Sequence, residues 1–230
     1  MTALILQARL DSSRLPGKAL LPLGERPVIQ ALMAALKTVA ADIHVLACAA
    51  DSEAAFAPLA RLEGFYIYGG PKEDVLERYC DVIRRYTPDR IIRATGDNPF
   101  VFADAAWAIH RESREASYGA YRNLPYGAGV ESVDALALLR AEKEARLPDE
   151  REHVCPYLYT HPEIFSLHCP DAPPSLARPG LRITIDTKED YQRALALNAA
   201  LTRRFGNSPE RYSGRAVIEA AIQSGLMERP

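Results

Sequence analysis

Short apolar runs alternate with longer amphipathic stretches through the first hundred residues of the chain. Apolar runs bounded by turn residues are typical of buried β-strands, which we predict at residues 3–7, 43–47, 65–68 and 90–94. The stretches between them predict helices at residues 27–39, 52–62 and 73–86. This alternation favours a mostly parallel sheet with helices on both faces, which is a three-layer α/β fold.

The pattern is less regular in the second half of the chain. It predicts helices at residues 103–115, 134–146, 151–159, 188–205 and 214–224. A stretch rich in Gly and Tyr at residues 117–133 predicts a short strand pair, and residues 181–185 predict a last strand that ends at Asp186. Prolines between residues 162 and 179 indicate an irregular excursion or a dimerisation arm. We expect residues 1–230 to form one domain.

The run from Arg9 to Lys18 follows the first predicted strand directly. It holds three cations, two hydroxyls and a Pro-Gly turn within ten residues. Such a segment can wrap a polyphosphate, because Gly17 lets the backbone approach while Arg and Lys neutralise charge. A basic surface loop is the alternative. The run is not a P-loop, since Ser12 stands where that motif needs Gly and Ala19 follows the lysine.

Two aspartates come at or near predicted strand ends, where ligands bind in open α/β sheets. Asp97 follows the fourth strand within Gly96-Asp-Asn-Pro99, and Asp186 follows the last strand. Each aspartate alone is compatible with a turn or a helix N-cap. A carboxylate pair that faces a basic loop also suits Mg²⁺, which is usually held by one or two carboxylates plus substrate phosphates.

Composition limits the partners and the compartment. The net charge of -2 gives no broad attraction to nucleic acid or to an anionic membrane. The four scattered cysteines suit reduced thiols, and the histidines and cysteines match no standard zinc spacing. The chain has no basic, signal-length apolar start and no run of about 20 apolar residues. We therefore expect a cytoplasmic protein that binds neither nucleic acid nor membrane.

Motifs spread from residue 7 to residue 190 resemble those of one known family. The run Gln7-Ala-Arg9-x-x-Ser12-Ser13-Arg14-Leu-Pro-Gly17-Lys18 is similar to the signature loop of cytidylyltransferases that activate acidic sugars. These include the CMP-KDO and acylneuraminate enzymes, and in particular the spore coat polysaccharide biosynthesis protein F group. The other matching motifs are Gly70-x-x-x-Asp74-Val-Leu-x-Arg78-Tyr79, Gly96-Asp97-x-Pro99, Glu131, Arg151-Glu-His153-Val and Leu181-Arg-x-Thr-x-Asp186-Thr-x-x-Asp190.

The resemblance implies a Rossmann-like nucleotide-diphospho-sugar transferase fold and a homodimer. It implies transfer of CMP from CTP to a small acidic acceptor, with Mg²⁺ as cofactor and pyrophosphate as product. Residues 117–180 would supply acceptor contacts and dimer surface. With the residue chemistry above, it suggests a catalytic set of Lys18, Arg9 and Arg14, and metal ligands Asp97 and Asp186. The suggested nucleotide-binding residues are Ala8, Arg9, Ser12, Ser13, Arg14, Gly17, Lys18, Ala49, Gly70, Asp74 and Gly96. The suggested acceptor-binding residues are Asn123, Glu131, Glu152, His153 and Arg182.

Other functions stay open at the level of the sequence. A cytidylyltransferase for a phosphonate or phosphate monoester would share the fold and the loop. A glycosyltransferase usually needs a D-x-D motif, whereas Gly96-Asp-Asn-Pro99 supplies one aspartate. A binding module without activity would be expected to lack Lys18 or the two aspartates, and all three residues are present.

Overall fold

The four strands predicted in the first hundred residues pair in parallel within one sheet. The structure is a computed structural model that describes residues 1–12 and 14–227. Its strands are β1 (Thr2–Ala8), β2 (Pro22–Leu23), β3 (Arg26–Pro27), β4 (Ile43–Ala49), β5 (Tyr66–Gly70), β6 (Arg90–Thr95), β7 (Tyr118–Gly119), β8 (Glu131–Asp134) and β9 (Leu167–His168).

The main sheet has the strand order β5-β4-β1-β6-β8-β7-β9. Strands β5, β4, β1 and β6 are parallel, and β8 runs antiparallel to both β6 and β7. Strands β2 and β3 form a separate small hairpin. A mostly parallel α/β sheet is therefore confirmed. The predicted strand pair at residues 117–133 is also present, as β7 and β8.

Strand β1 lies between β4 and β6 in the parallel part of the sheet, and its residues 3–6 are fully buried. Both of its neighbours run parallel to it, so helices must cover both faces and the strand is apolar throughout. The helices are α1 (Val28–Leu36), α2 (Glu53–Glu63), α3 (Val75–Tyr86), α4 (Ala103–Glu112), α5 (Ala135–Glu144), α6 (Pro148–His153), α7 (Pro156–Thr160), α8 (Lys188–Phe205) and α9 (Gly214–Gln223).

The buried core lies on the two faces of this sheet, and a third part of it lies around α8 and α9. Helices α3, α5 and α7 pack on the first face, and α1, α2 and α4 pack on the second. A third apolar cluster joins α8 and α9 to Phe102 and Ile185. In the described part of the chain, no helix is both long and apolar enough to cross a bilayer.

The prediction of a strand at residues 181–185 is wrong. This segment is buried and extended, but it forms only one bridge pair, between Tyr126 and Arg182. The Ile183 amide donates to Tyr126 O at 2.9 Å, and the Ile185 amide donates to Asp97 O at 2.8 Å. The segment is therefore held between two separate loops, because its hydrogen bonds go to both of them.

The single helix predicted at residues 151–159 is also wrong, because the chain forms α6 and α7 instead. Val154 lies between them with φ +74°, in the left-handed region that a β-branched residue rarely adopts. Pro156, which cannot donate an amide hydrogen bond, begins α7. The break turns the end of α6 towards the carboxyl edge of the sheet, where Glu152 and His153 join the site described below.

Candidate active site

A cleft of about 390 Å³ opens where β1 and β6 end. Five parts of the chain line it, and they lie far apart in sequence. The lining residues are Gln7, Ala8, Arg9, Ser12, Arg14, Lys18 and Ala19, then Arg93, Thr95, Gly96, Asp97 and Asn98, then Tyr126 and Gly127, then Glu152 and His153, and finally Thr184 and Asp186. The structure thus brings ten of the predicted site residues together: Ala8, Arg9, Ser12, Arg14, Lys18, Gly96, Asp97, Glu152, His153 and Asp186.

The loop after β1 is closed by a turn at Gly17. Gly17 has φ +68°, which glycine adopts without strain, and its amide donates to Leu10 O at 3.0 Å. This internal bond uses the Gly17 amide within the loop. Its effect is to begin the short 3-10 turn Lys18–Leu20 beneath the cleft.

Lys18 is the centre of the charged cluster. Its side chain is only 12% exposed, and Nζ lies 3.2 Å from Asp97 Oδ2 and 3.0 Å from Asp186 Oδ1. Nζ also donates to Ile185 O at 2.6 Å. The cation and the two carboxylates predicted from separate motifs therefore meet at one atom.

Asp186 is held tightly in this cluster. Its side chain is 8% exposed, and its carboxylate also lies 3.2 Å from Arg14 and 2.5 Å from Arg182. Asp190 lies behind Asp186 and accepts a hydrogen bond from the Asp186 backbone amide at 3.1 Å. Burial works to raise the pKa of Asp190, but hydrogen bonds from Arg193, from backbone amides and from Arg182 lower it to about 2. Asp190 therefore stays ionised and fixes the backbone that carries Asp186.

Gly96 brings Asp97 close to β1. Its amide donates to Gln7 O at 2.7 Å, and a Cβ atom at this position would lie 2.8 Å from the same oxygen. Only glycine permits this approach without a backbone shift. The Asp97 side chain is consequently directed to Lys18 and remains 32% exposed.

The two aspartates fit a hard divalent cation. Both carboxylates are within 3.2 Å of the same Nζ, so they face one shared position, and carboxylate oxygens are the ligands that Mg²⁺ prefers. Within residues 1–12 and 14–227, no group of three or more His, Cys, Asp or Glu side chains could hold a metal. The remaining ligands would have to be water or phosphate oxygens from a substrate.

A second group of polar side chains lines the other part of the cleft. Arg9 lies 3.4 Å from Glu152, and both side chains are about half exposed, as is usual for groups that face solvent or a ligand. On the floor, Arg93 forms an ion pair with Glu131, which also accepts the Tyr118 hydroxyl at 2.8 Å. Burial alone would lower the pKa of Arg93, but the Glu131 carboxylate raises it above the usual arginine value.

Several predicted site residues lie outside the described lining of the cleft. Asp74 caps α3 through the Glu77 amide at 2.8 Å, and its other oxygen pairs with Arg151, so both oxygens are occupied. Asn123 donates to Asp171 at 2.9 Å near the far edge of the sheet. The others are Gly17 in its turn, Ala49 at the end of β4, Gly70 at the end of β5, Glu131 beneath Arg93, and Arg182 beside Asp186. Ser13 lies outside the described residues.

Sequence reasoning missed some residues that line the cleft, among them Gln7, Arg93 and Tyr126. Arg93 had a usable signal, because it is a charged residue in the otherwise apolar run Ile91-Ile-Arg-Ala94. Tyr126 had no such signal. It lines the cleft because the 182–185 segment pairs with its loop, and Arg182 stacks over its ring at 4.6 Å.

The chain combines a mostly parallel α/β sheet, a cationic loop after β1 and two carboxylates that contact the lysine of that loop. The sequence profile of the cytidylyltransferase family matches residues 3–209 of this chain. The chain therefore belongs to the cytidylyltransferase family and is a nucleotidyltransferase.

A curated relative supports the same conclusion. The chain is 35% identical over 203 residues to the spore coat polysaccharide biosynthesis protein SpsF of Bacillus subtilis. The match covers 84% of this chain and 84% of that protein. The resemblance stated from the motifs is thereby confirmed.

Solved structures share the fold. A cytidylyltransferase from Leptospira borgpetersenii superposes with a TM-score of 0.86 at 24% identity, covering 100% of this chain and 97% of that one. The CMP:2-keto-3-deoxy-manno-octonic acid synthetase complexed with CTP gives 0.66 at 17% identity, covering 86% and 98%. A manganese complex of Rv0371C from Mycobacterium tuberculosis gives 0.61 at 19% identity, covering 84% and 97%.

Proposed function

We propose that this enzyme transfers CMP from CTP to a small acidic acceptor, a sugar acid or a similar compound, and releases pyrophosphate. The observation that carries the proposal is the meeting of Lys18 with Asp97 and Asp186 at the carboxyl ends of β1 and β6. This cluster combines a buried cation for phosphate charge with carboxylates for a metal. The match to the cytidylyltransferase family and the CTP complex of a similar fold support cytidine nucleotide as the donor.

The chemistry is an in-line displacement at phosphorus. The acceptor oxygen forms a bond to the α-phosphorus of CTP and loses its proton to solvent. The bond from that phosphorus to the oxygen bridging to the β-phosphate breaks, and pyrophosphate leaves with that electron pair. Arg9, Arg14 and Lys18 hold the triphosphate, and Ser12 adds a hydroxyl donor. Lys18 lies nearest the buried carboxylates, where charge is least screened, and stabilises the charge that develops on the leaving group. No protein nucleophile takes part.

Asp97 and Asp186 are the proposed ligands of Mg²⁺. The bound cation would supply charge neutralisation on the phosphates and lower the pKa of the acceptor hydroxyl. Lys18 Nζ occupies the position between the two carboxylates. Its flexible side chain can move to the phosphates when substrate arrives, which leaves carboxylate oxygens for the metal.

The nucleoside would lie over the ends of β4, β5 and β6, near Ala49, Gly70 and Gly96. A Cβ atom at Gly70 would lie 2.7 Å from the Tyr68 ring, so a residue with a side chain could not fit there unless Tyr68 moved. Asp74 contributes indirectly, because it caps α3 and binds Arg151. These contacts hold the loop between Gly70 and α3 in place.

The acceptor would bind on the opposite side, against α6 and β8. Glu152 and His153 project into the cleft from α6, and Glu131 lies beneath with Arg93. Arg182 offers a cation beside Asp186. Asn123 is a remote candidate, because its amide binds Asp171.

Assembly as a cytoplasmic homodimer is a further part of the proposal. The exposed side chains of Leu136, Leu147, Tyr159 and Leu167 fall within residues 117–180, the segment expected to supply dimer surface. The free thiols of Cys48, Cys80 and Cys155 are buried, which suits a reducing compartment. Light scattering that gives a single-chain mass at micromolar concentration would contradict the dimer.

A pyrophosphate-release screen tests the function directly. It combines CTP, UTP, ATP and GTP with sugar acids, phosphonates and sugar phosphates. We expect release with CTP and a sugar acid in the presence of Mg²⁺. Release with CTP and only a phosphonate or phosphate monoester would change the acceptor class. No release with any pair would contradict the catalytic proposal.

A further inference from the structure

Gln7 and Arg93 lie close together on one face of the sheet. In the parallel pairing of β1 with β6, Ile5 is opposite Arg93 and Gln7 is opposite Thr95. Ile5 and Ile91 both belong to the core beneath α3 and α5, and alternate residues of a strand share a face. Gln7 and Arg93 therefore continue this face to the carboxyl edge, where both line the cleft.

Each of these side chains carries a buried polar atom that lacks a partner. Gln7 Oε1 and Arg93 Nε form no hydrogen bond within the described residues. Buried polar atoms are nearly always bonded, since leaving one unpaired is costly. One atom accepts and the other donates, so the pair suits a group that can do both. The terminal torsion of glutamine is soft, which lets this oxygen turn towards a ligand.

The surroundings of the pair favour an uncharged group. Arg93 and Glu131 are opposite each other in the β6–β8 pairing and form an ion pair. Tyr118 donates to the same carboxylate at 2.8 Å. The guanidinium charge is thus already balanced by Glu131. A ligand carboxylate placed here would be repelled by Glu131 and by the side-chain oxygen Oε1 of Gln7.

The strand order places this pair on the acceptor side. The loops after β4 and β5, which hold Ala49 and Gly70, lie on one flank of β1, whereas β6 and β8 lie on the other. The described lining of the cleft includes Gln7 and Arg93 but neither Ala49 nor Gly70. The pair therefore lies beside the triphosphate residues and across β1 from Ala49 and Gly70, on the β6 side that also carries Gly96.

We propose that Gln7 and Arg93 form a specificity subsite that holds one hydroxyl group of the acceptor. The hydroxyl donates to Gln7 Oε1 and accepts from Arg93 Nε, while Glu131 holds the guanidinium in place. The acidic group of the acceptor binds elsewhere in the cleft. This inference rests on the proposed function, and it assigns a role to two residues that the motif comparison left without one.

The test uses the full-length enzyme, CTP and pairs of acceptors. Each pair consists of a polyhydroxylated sugar acid and an analogue that lacks one hydroxyl, and pyrophosphate release gives kcat and KM for each. Gln7→Met is the informative variant, because it keeps the side-chain length and removes the hydrogen-bond acceptor. Arg93→Met is avoided, since it would leave Glu131 buried without its cation. Titration calorimetry with CTP alone reports whether the nucleotide site is intact.

We expect one deoxy analogue to lower kcat/KM of the wild-type enzyme about tenfold or more. Gln7→Met should lower kcat/KM for the parent sugar acid by a similar factor, mainly through KM, and should remove the discrimination against that analogue. The Kd for CTP should not change. The comparison of analogues on the wild-type enzyme stands even if the variant fails to fold.

Three results would overturn the subsite. The first is that Gln7→Met discriminates against the deoxy analogue as strongly as the wild type does. The second is that this variant binds CTP more weakly. The third is that the wild-type enzyme turns over only acceptors that carry no hydroxyl besides the one that reacts. Weaker CTP binding would instead assign Gln7 to the cytosine base. Failure of the proposed function looks different, because the wild-type enzyme would neither bind CTP nor release pyrophosphate with any acceptor.

Discussion

Lys18 connects the signature loop to both carboxylates. Three acceptors surround its Nζ atom, at 2.6, 3.0 and 3.2 Å, and the side chain is nearly buried. A cation in such a site acts with little solvent screening, so its effect on developing phosphate charge is larger than that of a surface lysine. Its neighbours also depend on it, because Asp97 and Asp186 would repel each other without a shared cation.

Replacing this lysine should affect catalysis strongly. We expect Lys18→Ala to lower kcat/KM for CTP by about a hundredfold or more, because stabilisation of the transition state is lost. Pyrophosphate release under saturating acceptor measures the effect. Lys37→Ala, which alters an exposed lysine at the end of α1, is the matched control and should keep the wild-type rate. An unchanged rate in Lys18→Ala would contradict the assignment.

Asp97 allows a cleaner test of the metal than Asp186 does. Its side chain is 32% exposed, whereas Asp186 also anchors Arg14 and Arg182. We expect Asp97→Asn to raise the Mg²⁺ concentration for half-maximal activity about tenfold or more, since one anionic ligand is lost. EDTA should abolish wild-type activity, and Mg²⁺ should restore it. If activity survives both EDTA and the Asp97→Asn change, the two aspartates do not hold a required metal.

At the scale of elements, the beginning of α8 organises the site from behind. Thr187 and Asp190 form a capping box, in which Asp190 accepts the Thr187 amide at 3.0 Å and the Thr187 hydroxyl accepts the Asp190 amide at 3.1 Å. Asp190 also pairs with Arg182 and with Arg193. The helix start therefore fixes both the backbone and the ionic partner of Asp186.

Asp190→Asn should destabilise the protein at neutral pH. The ionised carboxylate has a pKa of about 2 in the folded state, and its stabilisation is fully present above the ordinary value of 3.8. It is lost as the pH falls through about 2. We expect the free energy of unfolding at pH 7 to decrease by about 2 kcal/mol. Urea unfolding at pH 7 and near pH 3 measures the difference, which should shrink at the lower pH.

The control for this prediction is Glu189→Gln, one residue earlier on the exposed side of α8. It should change the free energy of unfolding by less than about 0.5 kcal/mol. Equal effects of the two substitutions would show that Asp190 contributes no more than a surface carboxylate. A loss of activity in Asp190→Asn larger than the loss of folded protein would indicate that Asp186 had moved.

At the scale of the whole molecule, one buried histidine joins three elements. His110 of α4 lies 3.2 Å from the Thr2 hydroxyl of β1 and 3.1 Å from the Ser132 hydroxyl of β8. Burial, and then the charges of Arg90 and Arg114, lowers the pKa of His110 to about 4. The folded protein therefore holds this imidazole neutral through most of the acid range.

This histidine predicts acid sensitivity of the fold. The stabilisation is complete above the unfolded pKa of 6.5, and it is lost as the pH falls from there towards about 4, because only the unfolded chain takes up the proton. We expect about 3 kcal/mol of stability to disappear across this range. In His110→Gln the free energy of unfolding should change less between pH 7 and pH 4. The control is His161→Gln, at a half-buried histidine. If the free energy of unfolding depends on pH equally in His110→Gln and in the wild type, the prediction is contradicted.

The local pattern of the chain was sufficient to predict the central strands and most helices. Residues 3–6 are apolar and are followed by the polar run that begins at Arg9, so a compact state buries them. The position of Asp97 just after β6 followed from the same pattern, whereas the strand expected before Asp186 is absent. Residues 181–185 were predicted as a strand because their composition suits one, but only tertiary contacts decide whether a partner strand is beside them.

The sequence by itself determined the alternation of strands and helices, the turn at Gly17 and the charges that each loop carries. These features depend on periodicity and on backbone preferences over a few residues, which act before any long-range contact forms. The tertiary structure alone decided that Lys18 meets Asp186, 168 positions away, and that Arg93 pairs with Glu131. It also placed Gln7 and Arg93 at one cleft, because strand order and register bring distant residues together and cannot be deduced from local pattern.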